Sequence, residues 1–593
     1  MRNRFPVGVC IAENVGMSQT RTACAFLMIA PLLLAGGCGA ALVRVPPPAA
    51  GQRPAGPPRI DRALDLGSLP LPEQGPLSTE HTDQLFTPGE WMALLGANLT
   101  QQSRLSVGGR PVPAAGYLAG GALLLRMPRG LAPGMQTVTL DNGMGTATVT
   151  LPTASYVYGA DTQGNALRFR RLGPHGDGFA DQALDIDFPK ARFQVLSPDG
   201  GILYAVSEPD TDLAGVPSAI NAVVGAARAA GDGAASCQLL TIHLGGKGGP
   251  RKVQAVPLAL SSKPTGMAMG ERGQLIVLQK RQLTVLDATD PLRPRVTAQL
   301  TLAGPDQQRE LIDAEFLAKG RLLAVLEAYA NQIHLIDFSD PGQPRQLPGV
   351  SLSRALDEPF SIDLAVAADG QSLWALQGPN LRLAGKRLLD GLRTAWSDAK
   401  ALEFQRAAQA MGGAATGTAM LPREGLSRLV QLTLSDVGLN LNKSIALPEE
   451  IFPFFVLPAA DGSLYVSGIS RTNPFADAQA SLDGVLHVLN ALKNTAQLGT
   501  VIRVGTEDGG VTMALQGVAI YYDLALLPSG QLLTSTVRFG PGYLPPRLTL
   551  DWGLEVAGGR FTKLREVANT GLQITDAIQR LLPPYRYERI GAQ

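Results

Sequence analysis

Leu283-Thr284-Val285-Leu286-Asp287-Ala288-Thr289-Asp290-Pro291-Leu292-Arg293-Pro294-Arg295 returns 50 residues later as Ile333-His334-Leu335-Ile336-Asp337-Phe338-Ser339-Asp340-Pro341-Gly342-Gln343-Pro344-Arg345. A second element recurs around this pair: an apolar strand, a turn with glycine, then another apolar strand. It is found at Gly200, Gly273, Gly320, Gly370, Gly462 and Gly530, with gaps of 73, 47, 50, 92 and 68 residues. A period near 40–50 residues with several strands per unit predicts a β-propeller. The wide gaps hold segments 213–230 and 383–412, rich in Ala, Leu and Arg, where Leu388, Leu392, Trp396 and Ala399 share one helical face. They are expected to be helical insertions packing on the propeller rim.

Six glycine turns mark six blades. A seventh is assembled from the two ends of the region 154–593. Residues 156–170 look like outer strands that lack an inner one, and Gln573–Pro584 looks like the missing inner strand and its turn. Joining them in one blade closes the ring and hides strand edges that would otherwise pair with other chains. The fold class predicted is all-β: a small sandwich followed by a roughly seven-bladed propeller with helical insertions.

The sandwich is read from residues 63–153. Strand-like stretches such as Trp91–Leu99, Ala122–Pro128 and Gln136–Gly143 are bounded by Gly and Pro turns, the pattern of an antiparallel sandwich. Before it, residues 38–62 are rich in Pro and small residues and predict a stiff, extended spacer. Residues 1–37 hold Arg21, an apolar run from Ala25 to Ala35 and then Gly36-Gly37, the layout of a secretory signal. The apolar run, about 11 residues, is short against the roughly 20 that span a bilayer. Translation from Met17 would give a better proportioned signal.

Three resemblances follow from these residues. Leu34-Ala35-Gly36-Gly37-Cys38 resembles the bacterial lipobox, which implies a lipid on Cys38 and a membrane as partner. Gly39 stands where Asp usually retains lipoproteins in the inner membrane, so the resemblance implies an outer-membrane anchor. Pro88-Gly89-Glu90, Gly96-Ala97-Asn98-Leu99, Val107-Gly108-Gly109, Gly130-Leu131-Ala132-Pro133-Gly134 and Asn142-Gly143 resemble, in that order, the IPT/TIG family of immunoglobulin-like domains. That family spaces or docks and carries no catalytic residues. The Asp-Pro-x-x-Pro-Arg repeat is similar to the LVIVP- and YVTN-type propeller repeats of bacterial surface proteins.

Composition narrows the function. Lys and Arg number 51 against 50 Asp and Glu. Loss of Arg2, Arg4, Arg21 and Glu13 with the signal leaves 48 against 49, no footprint for nucleic acid. Of four cysteines, Cys10 and Cys24 leave with the signal and Cys38 takes lipid, so Cys237 remains alone and no disulfide forms. The five histidines fall in no H-E-x-x-H pattern, no C-x-x-C-H occurs, and G-x-S-x-G is missing. Lys247 sits in a glycine loop without the Ser or Thr of a phosphate site, and Asp210-Thr211-Asp212 lacks the later ligands of a calcium loop.

Propeller enzymes of the lactonase and quinoprotein kinds build sites from one residue per blade, which leaves no local motif. Asp313, Glu315, Asp363, Asp523 and Asp576 are polar residues beside the inner strands, and of these Asp313, Asp363, Asp523 and Asp576 occupy similar places before their blade turns. A ring of such carboxylates at a channel mouth would hold a polar ligand or a divalent cation, although no cofactor is predicted. The commoner use of Asp there is to satisfy backbone N–H groups of a neighbouring turn, and that reading stands ahead. The expected function is a non-enzymatic binding or scaffold protein with an unidentified protein or ligand on the propeller face. The alternatives are a periplasmic propeller enzyme with a metal at the channel mouth and a structural subunit of an outer-membrane complex. Replacing Cys38 with Ser should release the protein from the membrane fraction and abolish labelling by a radioactive fatty acid; labelling that persists in the variant defeats the anchor.

Overall fold

The computed structural model describes residues 42–45, 54–68, 71, 76–77, 83–118, 121–161, 166–173, 178–188, 191–207, 235–302, 311–327, 331–352, 360–378, 427–435, 438–448, 451–470, 499–517, 519–539, 550–557, 559–568 and 590–593. All regular structure among them is β-strand. The segments 213–230 and 383–412, expected to be helical, lie outside the described residues, as do Cys38 and Asp576.

Residues 42–153 build two antiparallel sheets. One has six strands in the order Arg59–Asp65, Trp91–Ala97, Ala122–Arg126, Ala114–Leu118, Leu42–Val45, Pro76–Leu77. The other has four, in the order Thr146–Thr153, Gly134–Asp141, Arg104–Val107, Arg110–Val112. Alternating side chains of both sheets enclose one core: Met92, Leu94, Leu123 and Leu125 from the first meet Leu105, Val107, Val138 and Leu140 from the second. The expected spacer is interrupted here. Arg44 pairs with Leu118 and Leu42 with Leu77, so Leu42–Val45 is a sheet strand, and the next strand starts at Arg59, ahead of the expected boundary at 63. The physical reason is that Leu42-Val43-Arg44-Val45 is a β-forming run within the Pro-rich stretch, and pairing satisfies its backbone groups.

The described residues from 154 onward form a β-propeller. Among the described residues it has seven four-stranded antiparallel sheets. In blades 2 to 7 the four strands follow one another from the inside outward. Their innermost strands are Ala191–Leu196, Pro264–Met269, Leu311–Leu317, Phe360–Val366, Ile451–Pro458 and Ala519–Leu526. The turns after these strands carry the recurring glycines, all at left-handed φ: 86° at Gly200, 83° at Gly273, 76° at Gly320, 65° at Gly370, 85° at Gly462 and 80° at Gly530. A side chain there would be strained, which is why glycine recurs at this point.

The second strands explain the apolar runs of the sequence. Ile202–Ser207, Gln274–Gln279, Leu322–Glu327 and Ser372–Gly378 are buried along their whole length, because a neighbouring blade covers each face. Outer strands such as Arg295–Thr301 and Val511–Gly517 are largely solvated. Apolar clusters fill each seam in turn. Leu167 and Phe169 meet Leu203 between blades 1 and 2, and Val157 and Leu172 meet Leu533 and Leu554 between blades 1 and 7.

Blade 1 joins the two ends of the region. Tyr156–Asp161 pairs on one side with Ala166–Leu172 and on the other with Ile590–Ala592, which is the innermost strand. The closing strand therefore comes from beyond the expected 573–584, which lies outside the described residues. The register is Val157 to Ala592 and Gly159 to Ile590. Removing residues 590–593 should strip the inner edge of Tyr156–Asp161 and lower the melting temperature of the whole propeller. Calorimetry of the truncated protein checks this; cooperative unfolding at an unchanged temperature would mean that the ring closes without this strand.

Candidate functional site

The innermost strand of each blade presents a row of N–H groups that no strand of its own sheet takes. Buried, such groups need a partner. In blades 2 to 7 the inner strand also carries a register shift near its start, between Ala191 and Phe193, Pro264 and Gly266, Leu311 and Asp313, Ser361 and Asp363, Pro453 and Phe455, and Tyr521 and Asp523. The residue after each shift holds the same place in its blade. Asp fills it in blades 4, 5 and 7.

Those three carboxylates reach sideways. Leu364 N–H of blade 5 donates to Asp313 Oδ2 of blade 4 at 2.8 Å. Val456 N–H of blade 6 donates to Asp363 Oδ2 of blade 5 at 2.7 Å. Ile590 N–H, on the closing strand, donates to Asp523 Oδ2 of blade 7 at 3.0 Å, while Leu524 N–H donates to Asp523 Oδ1 at 3.0 Å. All three side chains are buried. Each is therefore a latch from one inner strand to the next. The bonded amide lies on the neighbouring inner strand and not in a neighbouring turn. Where blades 2, 3 and 6 have Phe193, Gly266 and Phe455 at this place, the seam is made differently. A Cβ on Gly266 would stand 3.2 Å from the Ile312 carbonyl of blade 4, and Phe454 packs on Tyr522 with ring centroids 6.2 Å apart.

No set of three or more His, Cys, Asp or Glu among the described residues is arranged to hold a metal ion. Glu315 is half-buried on the inner strand of blade 4. Lys247 is exposed at the tip of its loop, whose flanks, Leu244–Gly246 and Gly249, are buried.

That loop leads to a junction that sequence reasoning missed. The sandwich end holding Asp65–Ser68, Thr87–Trp91 and Arg126 meets two turns of blade 2, Ser197–Gly201 and His243–Gly249. Ser68 N–H donates to His243 Nε2 at 2.8 Å. Arg126 bridges the two parts: its Nε–H donates to Gly89 O at 2.9 Å and its guanidinium pairs with Asp199 at 2.7 Å. A Cβ at Gly89 would collide with Gly201 N, and one at Gly245 with Glu90 Oε1, so glycine is required on both sides of the contact. Gln593 closes the junction. Its Nε2–H donates to Pro88 O at 3.0 Å and to Gly200 O at 2.9 Å, and Tyr156 N–H donates to its Oε1 at 3.3 Å. One side chain thus ties sandwich, blade 1 and blade 2.

Two carboxyls lie within the junction. Asp65 accepts from Gly67 N–H at 2.8 Å and from Asp83 N–H at 3.1 Å; burial, offset in part by these bonds, raises its pKa to about 6. Glu90 accepts from Thr87 N–H at 2.5 Å, and burial, then the Asp65 charge, holds its pKa well above the ordinary carboxyl range. Pro88-Gly89-Glu90 is visible in the sequence as a turn before a strand, yet nothing local marks Glu90 as buried.

No protein-family model and no curated protein matches this sequence. Among solved structures the chain is similar to the periplasmic gluconolactonase of Pseudomonas aeruginosa, at 12% identity and a TM-score of 0.40 over 70% of this chain and 96% of that one. It is similar to hydrazine synthase of Kuenenia stuttgartiensis, at 13% identity and a TM-score of 0.37 over 62% and 78%. A third likeness is to the Swd1 β-propeller domain of Myceliophteria thermophila, at 12% identity and a TM-score of 0.31 over 63% and 86%. At these scores the likeness carries no argument about chemistry, and the fold assignment rests on the sheet topology.

Asp363→Ala should strand the buried Val456 N–H and cost about 1–3 kcal/mol, whereas Asp363→Asn keeps a carbonyl acceptor and should cost about 1 kcal/mol or less. Denaturant titration measures both. Chelator should leave the wild-type midpoint unchanged; a lowered midpoint would restore a metal to these carboxylates.

Proposed function

We propose that this is a lipid-anchored protein of the cell envelope, with an immunoglobulin-like sandwich as its base and a propeller that binds a partner without turning it over. The observation that carries the reading is the use of the sandwich's two ends. In the six-stranded sheet the chain starts at Leu42 near the Leu118 end of Ala114–Leu118, the end that also holds Arg59 and Ala97. The opposite end, at Asp65, Trp91 and Arg126, carries the propeller. A seven-residue strand such as Trp91–Ala97 separates them by about 20 Å. Leu42 follows Cys38 by four positions in sequence, so along the chain the sandwich comes between the proposed lipid and the propeller.

Two features support binding over catalysis. The carboxylates Asp313, Asp363 and Asp523 are engaged in holding blades together. The outer strands of blades 5 and 6 leave Leu441, Val511 and Met513 exposed, apolar side chains suited to a protein partner. Gly39 after the cysteine favours an outer-membrane location, and the near-neutral charge speaks against nucleic acid.

A photo-cross-linking residue at Leu441 or Met513 in the anchored protein should yield a discrete adduct in cells, and the purified protein should leave aldonolactones intact with or without divalent cations. Lactone turnover that disappears in Asp363→Asn and Asp523→Asn would replace this reading with the propeller-enzyme alternative.

A further inference from the structure

We infer that the junction between sandwich and propeller is a proton-operated clasp, closed when Glu90 is a neutral carboxylic acid and loosened when Glu90 carries charge. The geometry is that of a sealed acid. Glu90 is fully buried, at 0% exposure, where a sandwich turn presses on a propeller turn. Its Oε2 takes the Thr87 N–H, while its Oε1, facing the Gly245 backbone, has no hydrogen-bond partner. Ser68 Oγ, also at 0% exposure and packed on Gly201, is likewise without one.

Thr87, through its N–H and hydroxyl, favours the Glu90 anion, but burial outweighs it and the other groups around Glu90 do not favour a charge. On the sandwich side stand Asp65 and Asp83, both acids. From the propeller come His243 and Tyr156. His243 accepts the Ser68 N–H at Nε2, and burial pushes the Tyr156 hydroxyl up to about 12. The nearby cations are engaged elsewhere: Arg126 with Asp199 and Gly89 O, and Arg251 beside His243 Nδ1 at 3.4 Å. An unpaired carboxylate in this setting loses hydration that only separation of the two turns restores. The neutral acid has no such need.

The sign follows from linkage. Burial, then the Asp65 charge, raises the pKa of Glu90 in the closed state above its free value of 4.5. The clasp is thus fully effective below pH 4.5 and weakens as pH rises, by up to tenfold per pH unit, until Glu90 ionises in the closed state. Asp65, raised from 3.8 to about 6, adds a loss of the same sign across that lower range. The firmness with which the sandwich holds the propeller therefore depends on pH.

The test is hydrogen exchange of the purified full-length protein from pH 5 to 8, corrected for intrinsic amide rates. Protection at 65–68, 87–91, 197–201 and 243–249 should fall by up to tenfold per pH unit, while Leu322–Glu327 in blade 4 stays constant. Glu90→Gln, neutral at every pH, should flatten the profile at the junction. Asp65→Asn should keep a slope but reduce the total loss. A flat wild-type profile overturns the inference, and so does a Glu90→Gln slope equal to that of the wild type. If Glu90→Gln loses protection in blade 4 as well, the variant has misfolded, and the wild-type profile then decides alone.

Discussion

Asp523 Oδ2 takes the N–H of Ile590, and by doing so it joins blade 7 to the strand that completes blade 1. A propeller is a ring of sheets, each buried on both faces by its neighbours, and no blade has a stable place until the last seam is made. The seam between blades 7 and 1 has apolar packing from Val157, Leu533 and Leu554, but packing is non-directional. The carboxylate sets the position of the closing strand along its neighbour. Asp313 and Asp363 repeat the bond at two other seams, where the same register shift aims the side chain across the gap. A group that looks like a ligand in sequence is thereby spent on the fold, and an orphan amide on the edge of an inner strand is what it satisfies.

The closing strand has a second consequence. Because Ile590–Ala592 is innermost in blade 1, Gln593 emerges beside the turn at Gly200 and the Pro88 carbonyl of the sandwich. Ring closure and domain docking share one side chain, and the chain cannot lose one without straining the other. The junction is narrow: Gly89 meets Gly201, and Gly245 meets Glu90, with no room for a Cβ. Such close approach excludes water, and burial away from water is what raises the pKa of the Glu90 carboxyl.

The repeat at Asp287 and Asp337 shows why part of this was legible. In both copies the first Asp accepts the N–H and the hydroxyl of the residue two positions on, Thr289 or Ser339, at 2.6–3.0 Å, and those bonds hold its pKa below the ordinary value. Asx-type turns are built from neighbours in sequence, so a local motif suffices to recognise them. The glycine turns are legible for the same reason, since left-handed backbone at Gly200 or Gly370 is a local demand. The Pro-rich stretch misled because its composition speaks of a spacer, while Leu42–Val45 answers to the open edge at Ala114–Leu118, far away in sequence.

The sequence by itself determined the all-β class, the period of the blades, the position of their inner turns and the incomplete sheet that begins at Tyr156. These follow from hydrophobic periodicity and from backbone conformations only glycine adopts readily, both short-range properties. Only the tertiary structure decided that the ring closes through Ile590–Ala592, that Asp313, Asp363 and Asp523 face neighbouring blades, and that Asp65, Glu90, His243 and Gln593 meet. A carboxylate has the same chemistry whether it faces a channel, a metal or an amide. Which of these it meets is set by residues 51, 93 and 67 positions away, at Leu364, Val456 and Ile590, and distance in the chain carries no local signal.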